Sequence, residues 1–383
     1  MCIRDSYWYK LKSTKSGYPD SEFSSPPDRG NKKPSGPEWH FSVAYDGTVG
    51  DLELEVVDGN PAVAFQTNSW SLKFVRADDQ QGTSWGTDVD IDSNGVNGNV
   101  SLEVISEKPA VSYMNTGTSL MFARALDKDG DSWGSPVSVD SGSDLGWGTS
   151  LTTVNGNPAV SYVDGSDNHD LMYVRANDNT GSLWGEPITV DAAHWVRDDV
   201  KSTSLAIISG KPAISYMQKD QDDLMFVRSS DENGNAWQLP TTVTSDGYQT
   251  MITLLNVNGK PAIAYRDWNS GNADAKYVRA TNSTGSSWGS PITVDSLGQT
   301  EWVSMAIVGD VPAIANYLGN TFEYRDLRWA QAADQNGSSW NSPETVDSEG
   351  EVGEFASIKE VNGHPAIAYF DHTNDDLKFA IYY

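Results

Sequence analysis

The pair Pro-Ala recurs seven times, beginning at Pro61, Pro109, Pro158, Pro212, Pro261, Pro312 and Pro365. Around each copy lies one unit. It runs Ser-Leu, a glycine-containing turn, Pro-Ala-Ile-Ala-Tyr, a polar loop, Leu-x-Phe-Val-Arg-Ala, Asp-x-x-Gly-x-Ser-Trp-Gly-x-Pro and finally Val-Asp. A unit of about 50 residues is too small to bury a core alone, so copies must stack, and this period is that of propeller blades. Trp85, Trp133, Trp184, Trp237, Trp288 and Trp340 follow six of the pairs, while the seventh unit ends at Tyr383 without its tryptophan. The missing piece stands at the other end. Trp39 precedes Pro61 by 22 residues, where the others precede the next proline by 24 to 28. Asp46 lies seven after Trp39, as Asp92, Asp140, Asp191, Asp295 and Asp347 lie seven after theirs. A last copy split between the chain ends latches a ring. The sequence therefore predicts an all-β, seven-bladed propeller over 37–383, closed by Trp39–Tyr45 pairing beside Leu377–Ile381.

Within each unit the period is that of strands. In 150–163, Ser-Leu-Thr-Thr-Val, a turn at Asn155-Gly156-Asn157 and Ala-Val-Ser-Tyr-Val are followed by a loop, Leu171–Arg175, a turn ending at Gly181, and Trp184–Val190. Four short β-rich runs between Gly/Asn/Asp turns make a four-stranded blade. Pro136, Pro187, Pro240, Pro291 and Pro343 follow the tryptophan by three, and proline cannot donate to a ladder, so the fourth run is the outer edge.

A net charge of −27 excludes a basic face for nucleic acid and disfavours an anionic membrane. No run of 18 apolar residues is present to insert into a bilayer. The one cysteine, Cys2, excludes an internal disulfide. Residues 1–36 carry no repeat; Ser21–Pro37, rich in Ser, Pro, Gly and Lys, reads as a flexible leader or linker, and Met1–Ser6 as a non-native start.

Arg124-Ala125 to Trp133 and Arg175-Ala176 to Trp184 carry Arg-Ala-x-Asp-x-x-Gly-x-Ser-Trp, with Leu183 in the serine's place in the second. This resembles the Asp-box of sialidase-like and BNR propellers, with Ala77, Ala125, Ala176, Ala280 and Ala332 where that motif opens on serine. Glu344–Gly353 and His364–Ala380 are similar to repeats of secreted bacterial surface propellers. The resemblance places Asp79, Asp127, Asp178, Asp231 and Asp334, with Asn282 in the fifth unit, in the turn between third and fourth strands. It also implies an extracellular or cell-surface setting. A residue required in every blade holds the blade, so these aspartates, the repeated tryptophans with Trp39, and Arg76, Arg124, Arg175, Arg228 and Arg279 are read as scaffold.

Function then belongs where the copies differ. The loops between second and third strands and between blades share one rim, and they hold Trp70, Trp147, Trp195, Trp268 and Trp302 beside Arg266, Asp267, Asn269 and Arg325. An indole covers the C–H face of a pyranose while carboxylates and amides take its hydroxyls, so the rim reads as a non-catalytic glycan or surface-polysaccharide site on a monomer. The same tryptophans could instead plug the rim, or meet a protein partner in an adhesion role. The family resemblance adds a glycosidase alternative, with Arg197, Arg266 and Arg325 as the arginine triad and Glu301, Glu323 and Tyr324 nearby; the counterpart of its first arginine motif, Val43–Asp51, holds none. Calcium is the one cofactor considered, on the oxygen-rich loop Asp164, Asp167 and Asp170, on Asp220–Asp223, or on Asp127–Asp131.

Overall fold

The computed structural model describes residues 37–383 apart from 117–118, 143, 167, 199–200, 246–247, 270–271 and 320–324, and apart from the side chains of 249 and 269. The expected leader, 1–36, lies outside the described residues. Trp39–Tyr382 form one compact unit. It contains seven four-stranded antiparallel sheets, six of them in chain order from first to fourth strand, and no helix among the described residues. Blade 1 spans 49–92, blade 2 101–140, blade 3 145–191, blade 4 203–244, blade 5 248–295, blade 6 300–347 and blade 7 352–382. The fourth strand of blade 7 is Trp39–Asp46, which pairs antiparallel with Asp376–Tyr382 in the register Trp39↔Tyr382, Phe41↔Ala380, Tyr45↔Leu377. The expected closure is the one observed. The repeated prolines sit immediately before fourth strands beginning at Val137, Ile188, Thr241, Ile292 and Glu344, where no ladder hydrogen bond is lost.

The first strands face a central channel, and second strands such as Asn157–Asp164 are buried between neighbouring blades. Burial on both faces explains why Ala-Val-Ser-Tyr carries no polar alternation: small residues let the next blade approach, and Tyr113, Tyr162, Tyr216 and Tyr369 fill the gaps. The repeated tryptophans lock blade to blade. Trp133 meets Phe74 of the preceding blade edge-on at 5.4 Å, and Trp184, Trp237, Trp288 and Trp340 meet Phe122, Tyr173, Phe226 and Tyr277 in the same way. Trp85 meets Phe379 across the junction of blades 7 and 1, and Trp39 takes the seventh position against Trp329.

The turns before the repeated tryptophans are held by their aspartates, and by Asn282 in the fifth unit. Asp178 accepts from the backbone N–H groups of Thr180, Ser182 and Leu183, and the Trp184 indole donates to Gly181 O at 2.9 Å. Partial burial alone would raise this carboxyl, but hydrogen bonds from Thr180 and Ser182 outweigh it and hold it well below the usual carboxylate range. The arginines ending the third strands cap the turn between the first two: Arg76 donates from Nε to Val57 O and from Nη2 to Asp58 O. The aspartates seven after each tryptophan staple blades together. Tyr113 donates to Asp92 at 2.5 Å and Tyr369 to Asp347 at 2.6 Å. In blade 6, where Asn316 replaces the tyrosine, Arg328 reaches Asp295 at 2.7 Å.

Deleting residues 1–46 would expose the Asp376–Tyr382 edge and remove the Trp39–Trp329 contact. The shortened chain is expected to melt at a clearly lower temperature and to associate in size-exclusion chromatography. Unchanged melting with a monomeric elution would contradict the closure.

Candidate functional site: the loop rim and the channel mouth

The interblade crossings and the loops between second and third strands meet on one face, joined by backbone hydrogen bonds such as Val96 N–H to Trp70 O and Val196 N–H to His169 O. The Asp178-type turns and the arginine-capped turns occupy the other. On the rim the five variable tryptophans divide. Trp70 is 51% exposed, Trp195 42% and Trp268 39%, whereas Trp302 is only 9% exposed and packs on Phe355 at 4.6 Å. Trp147 is half-buried and donates to Asp144 at 2.8 Å. Trp302 and Trp147 are thus inward-packed.

Trp70 is held in the left-handed region, φ +62°, by a tight turn in which its N–H donates to Thr67 O. That conformation costs a non-glycine residue roughly 1–3 kcal/mol. It turns the indole over a shallow open pocket shared with Gly95, Asn97 and Thr116 between blades 1 and 2. Trp195 lies 4.8 Å from the His169 ring, with Lys219 Nζ 5.1 Å from its centroid. Trp268, at the end of the second strand of blade 5, has the Arg266 guanidinium 4.8 Å from its ring, and Arg266 Nε donates to Thr300 O.

The charged residues on the rim are largely engaged with one another. Arg325 pairs with Glu351, and Tyr317 donates to the same carboxylate at 3.4 Å. His372 pairs with Glu354. Burial raises the Glu301 carboxyl, partly offset by Arg266 and Arg325. Arg197 lies apart from these two, stacked on Tyr248 at 4.0 Å and paired with Asp222 at 3.2 Å. Glu323 and Tyr324 lie outside the described residues. Asp267 is 2% exposed and ion-paired to Lys276, so it faces inward rather than the rim solvent. The side chain of Asn269 lies outside the described residues. Asp164 and Asp170 are opposite each other in the blade 3 hairpin, and burial, then Asp164, raises the Asp170 carboxyl. Asp167 lies outside the described residues. Among the described residues no three Asp, Glu, His or Cys side chains surround a common point that could hold a metal.

A second feature lies in the channel, a cavity of about 370 Å³ lined by first strands. Eight residues before each Pro-Ala proline the first strands carry Glu53, Ser101, Ser150, Ser204, Thr253, Ser304 and Ser357; six before, they carry Glu55, Glu103, Thr152, Ala206, Leu255, Ala306 and Lys359. The serines link neighbouring blades, as Ser101 does by accepting from Leu151 N–H. Blades 1, 2 and 7 depart from this neutral pattern. Lys359 pairs with Glu55 at 2.6 Å, Lys201 lies 3.8 Å from Glu53, and Glu103 is pushed up to about 7 by burial and by the neighbouring Glu55. Aligned on Pro-Ala, the units show these departures in the sequence itself, at first-strand positions rather than in the variable loops.

No family model matches the chain, and no curated protein matches it. Among solved structures, an ulvan lyase described as a new family of polysaccharide lyase superposes with a TM-score of 0.62 at 14% identity, covering 88% of this chain and 94% of that one. A triple arginine-to-alanine mutant of AofleA from Arthrobotrys oligospora superposes with a TM-score of 0.50 at 12% identity, covering 82% and 90%. At such identities the shared property is the propeller fold.

Because Glu103 titrates higher folded than unfolded, its protonation favours the folded state. That contribution is complete below the unfolded value near 4.5 and is lost as pH rises through about 7. Glu103→Gln, neutral at every pH, is expected to be more stable than the parent by about 2–3 kcal/mol near pH 8 and about equal near pH 4. Urea unfolding at the two pH values checks this; equal stability near pH 8 would contradict it.

Proposed function

We propose that the rim binds glycan chains without chemistry, through the exposed indoles of Trp70, Trp195 and Trp268. The observation that carries this reading is a contrast in exposure: the repeated tryptophans are packed into blade junctions, while these three stand open on one face beside amide, hydroxyl and cationic groups. Trp70 gives the best-formed platform, since its backbone is held in a costly conformation that presents the ring, with Asn97 and Thr116 to take sugar hydroxyls. The three lie at roughly alternate blades, so they serve separate sugars and gain affinity together when a multivalent chain engages more than one. With a net charge of −27, a neutral or amine-bearing glycan is favoured and a polyanionic one repelled. An ulvan lyase with this fold has been captured bound to -[GlcA(1-4)Rha3S]-; the support here comes from this chain's own residues. The Asp-box and bacterial surface-propeller resemblance supports an extracellular or cell-surface setting.

A glycosidase reading has one observation in its favour, the raised carboxyl of Glu301 between Arg266 and Arg325 beside Trp268. Burial of a carboxyl among mixed charges is also ordinary packing, and Glu301 rests against the backbone of Gly319. Binding without turnover is therefore the stronger reading.

Glycan-array screening with and without calcium, followed by titration of the hits, tests the proposal. Trp70→Ala and Trp268→Ala are each expected to weaken binding by about 1–3 kcal/mol, roughly 5- to 150-fold, with little change in melting. Trp302→Ala is expected to lower stability by about 3–5 kcal/mol through a core cavity. Binding that survives loss of all three exposed indoles, or capture of a protein partner with no glycan hit, would overturn the reading. Product release from a bound glycan, abolished in Glu301→Gln, would establish the glycosidase instead.

A further inference from the structure

Of the three exposed rim indoles, Trp70 alone opens onto a pocket with no charged group in its lining. Trp195 stands beside Lys219 and Trp268 beside Arg266, whereas the Trp70 pocket is completed by Gly95, Asn97 and Thr116. Glycine makes the room. The Gly95 carbonyl accepts from Thr116 N–H at 2.9 Å, and the matching carbonyl at other crossings belongs to Thr48, Asp144, Trp195, Gln299 or Glu351, each of which carries a side chain. A Cβ on Gly95, at φ +85°, would collide with the Thr116 hydroxyl, so glycine here leaves that hydroxyl uncovered. The polar atoms left to the pocket are of two kinds. Asn97 donates from Nδ2 to the thioether of buried Met114 at 3.9 Å, which leaves its Oδ1, an acceptor, for the pocket. Neither that Oδ1 nor the Thr116 hydroxyl has a hydrogen-bond partner among the described residues. One acceptor, one donor and one aromatic face are thus offered together, with no carboxylate to clamp a pair of hydroxyls.

We infer that the Trp70 pocket selects an N-acetylated amino sugar, and that the acetamido group is the feature it reads. That group has one N–H for Asn97 Oδ1, one carbonyl for the Thr116 O–H and one methyl to lie on the indole. A hydroxyl in its place brings no methyl to the indole and is too short to reach both polar groups from the same ring position. An ammonium in its place would enter a pocket with no carboxylate to pair it, and burying an unpaired charge is costly. The inference rests on the glycan-binding reading of the rim, since it names the sugar class that one of the three indoles takes. Because neutral groups recognise a neutral group, binding is also independent of salt, despite the net charge of −27.

Methyl glycosides of N-acetylglucosamine and N-acetylgalactosamine, each beside the glucoside or galactoside that has a hydroxyl in the acetamido position, test it by ligand-observed NMR titration of the full chain at low and high salt. At least one N-acetyl glycoside is expected to bind about tenfold or more tightly than its hydroxyl partner, equally at both salt concentrations. Thr116→Val keeps the shape and removes the donor, and is expected to narrow that preference to about threefold or less. Trp70→Ala is expected to abolish it, and a folding failure in one variant leaves the other to decide. Equal affinity for both partners, lost in Trp70→Ala, would overturn this inference and leave the rim reading standing. Binding of neither partner, or an undiminished preference in either folded variant, would overturn it as well. The rim reading itself falls only to the separate result already named, glycan binding that survives loss of all three indoles or no glycan binding at all.

Discussion

Everything in this ring depends on a close approach between one blade's aromatic ring and the next blade's glycine. A Cβ placed on Gly130, at φ +81°, would stand 2.3 Å from a ring carbon of Phe74, and one on Gly285, at φ +76°, 2.2 Å from Phe226. No other residue fits both the conformation and the space. The same glycine carbonyl accepts the indole N–H of Trp133 or Trp288, and that indole closes edge-on over the intruding ring. The turn, the tryptophan and the neighbouring blade are thus fixed by one contact, which Asp127 in the one turn and Asn282 in the other make rigid by accepting the turn amides.

Placing the lock on the turn face leaves the opposite face and the channel free to vary. Rim loops need only reconnect strands whose positions are already set, so they tolerate a left-handed Trp70 or the Arg266–Trp268 stack. The channel position in front of each blade has only to accept one backbone N–H of the next blade, which Glu53 does from Leu102 as the serines do elsewhere, so the side chain there can change without disturbing blade packing. Blade 7 holds the closure, and blade 1 packs directly against it. Lys359 to Glu55 is consequently an ion pair between the last blade and the first, partly buried and reinforcing the latch made by Trp39–Asp46.

Much of the fold was legible because a period repeated seven times averages out local ambiguity. The split copy betrayed itself through the spacing from Trp39 to Asp46, and the strand register follows from it. The roles of Asp92, Asp140, Asp191 and Asp347 were not legible, although their spacing was, since each accepts from a tyrosine of the next blade some 21 to 25 residues on. Only the stacking of blades brings such partners together. The rim was harder still. Composition marks Trp302 and Trp268 alike as variable loop tryptophans, yet a bulge turns Trp302 inward onto Phe355 while Trp268 ends its hairpin in solvent. Burial of a single side chain depends on such one-residue shifts, which a repeat does not encode. Asp267 illustrates the same limit, since strand alternation carries it to the blade interior beside Lys276, opposite to its neighbour Trp268.

The central claim is that the split seventh blade makes the ring one cooperative structure rather than six blades with a loosely added strand. Native-state hydrogen exchange measures this directly. Amides of Trp39–Asp46 that donate across to Asp376–Tyr382 are expected to exchange with the same opening free energy as the buried second strands, through global unfolding alone. Fast exchange of Trp39–Asp46 while Asn157–Asp164 and Lys211–Gln218 stay protected would contradict the account.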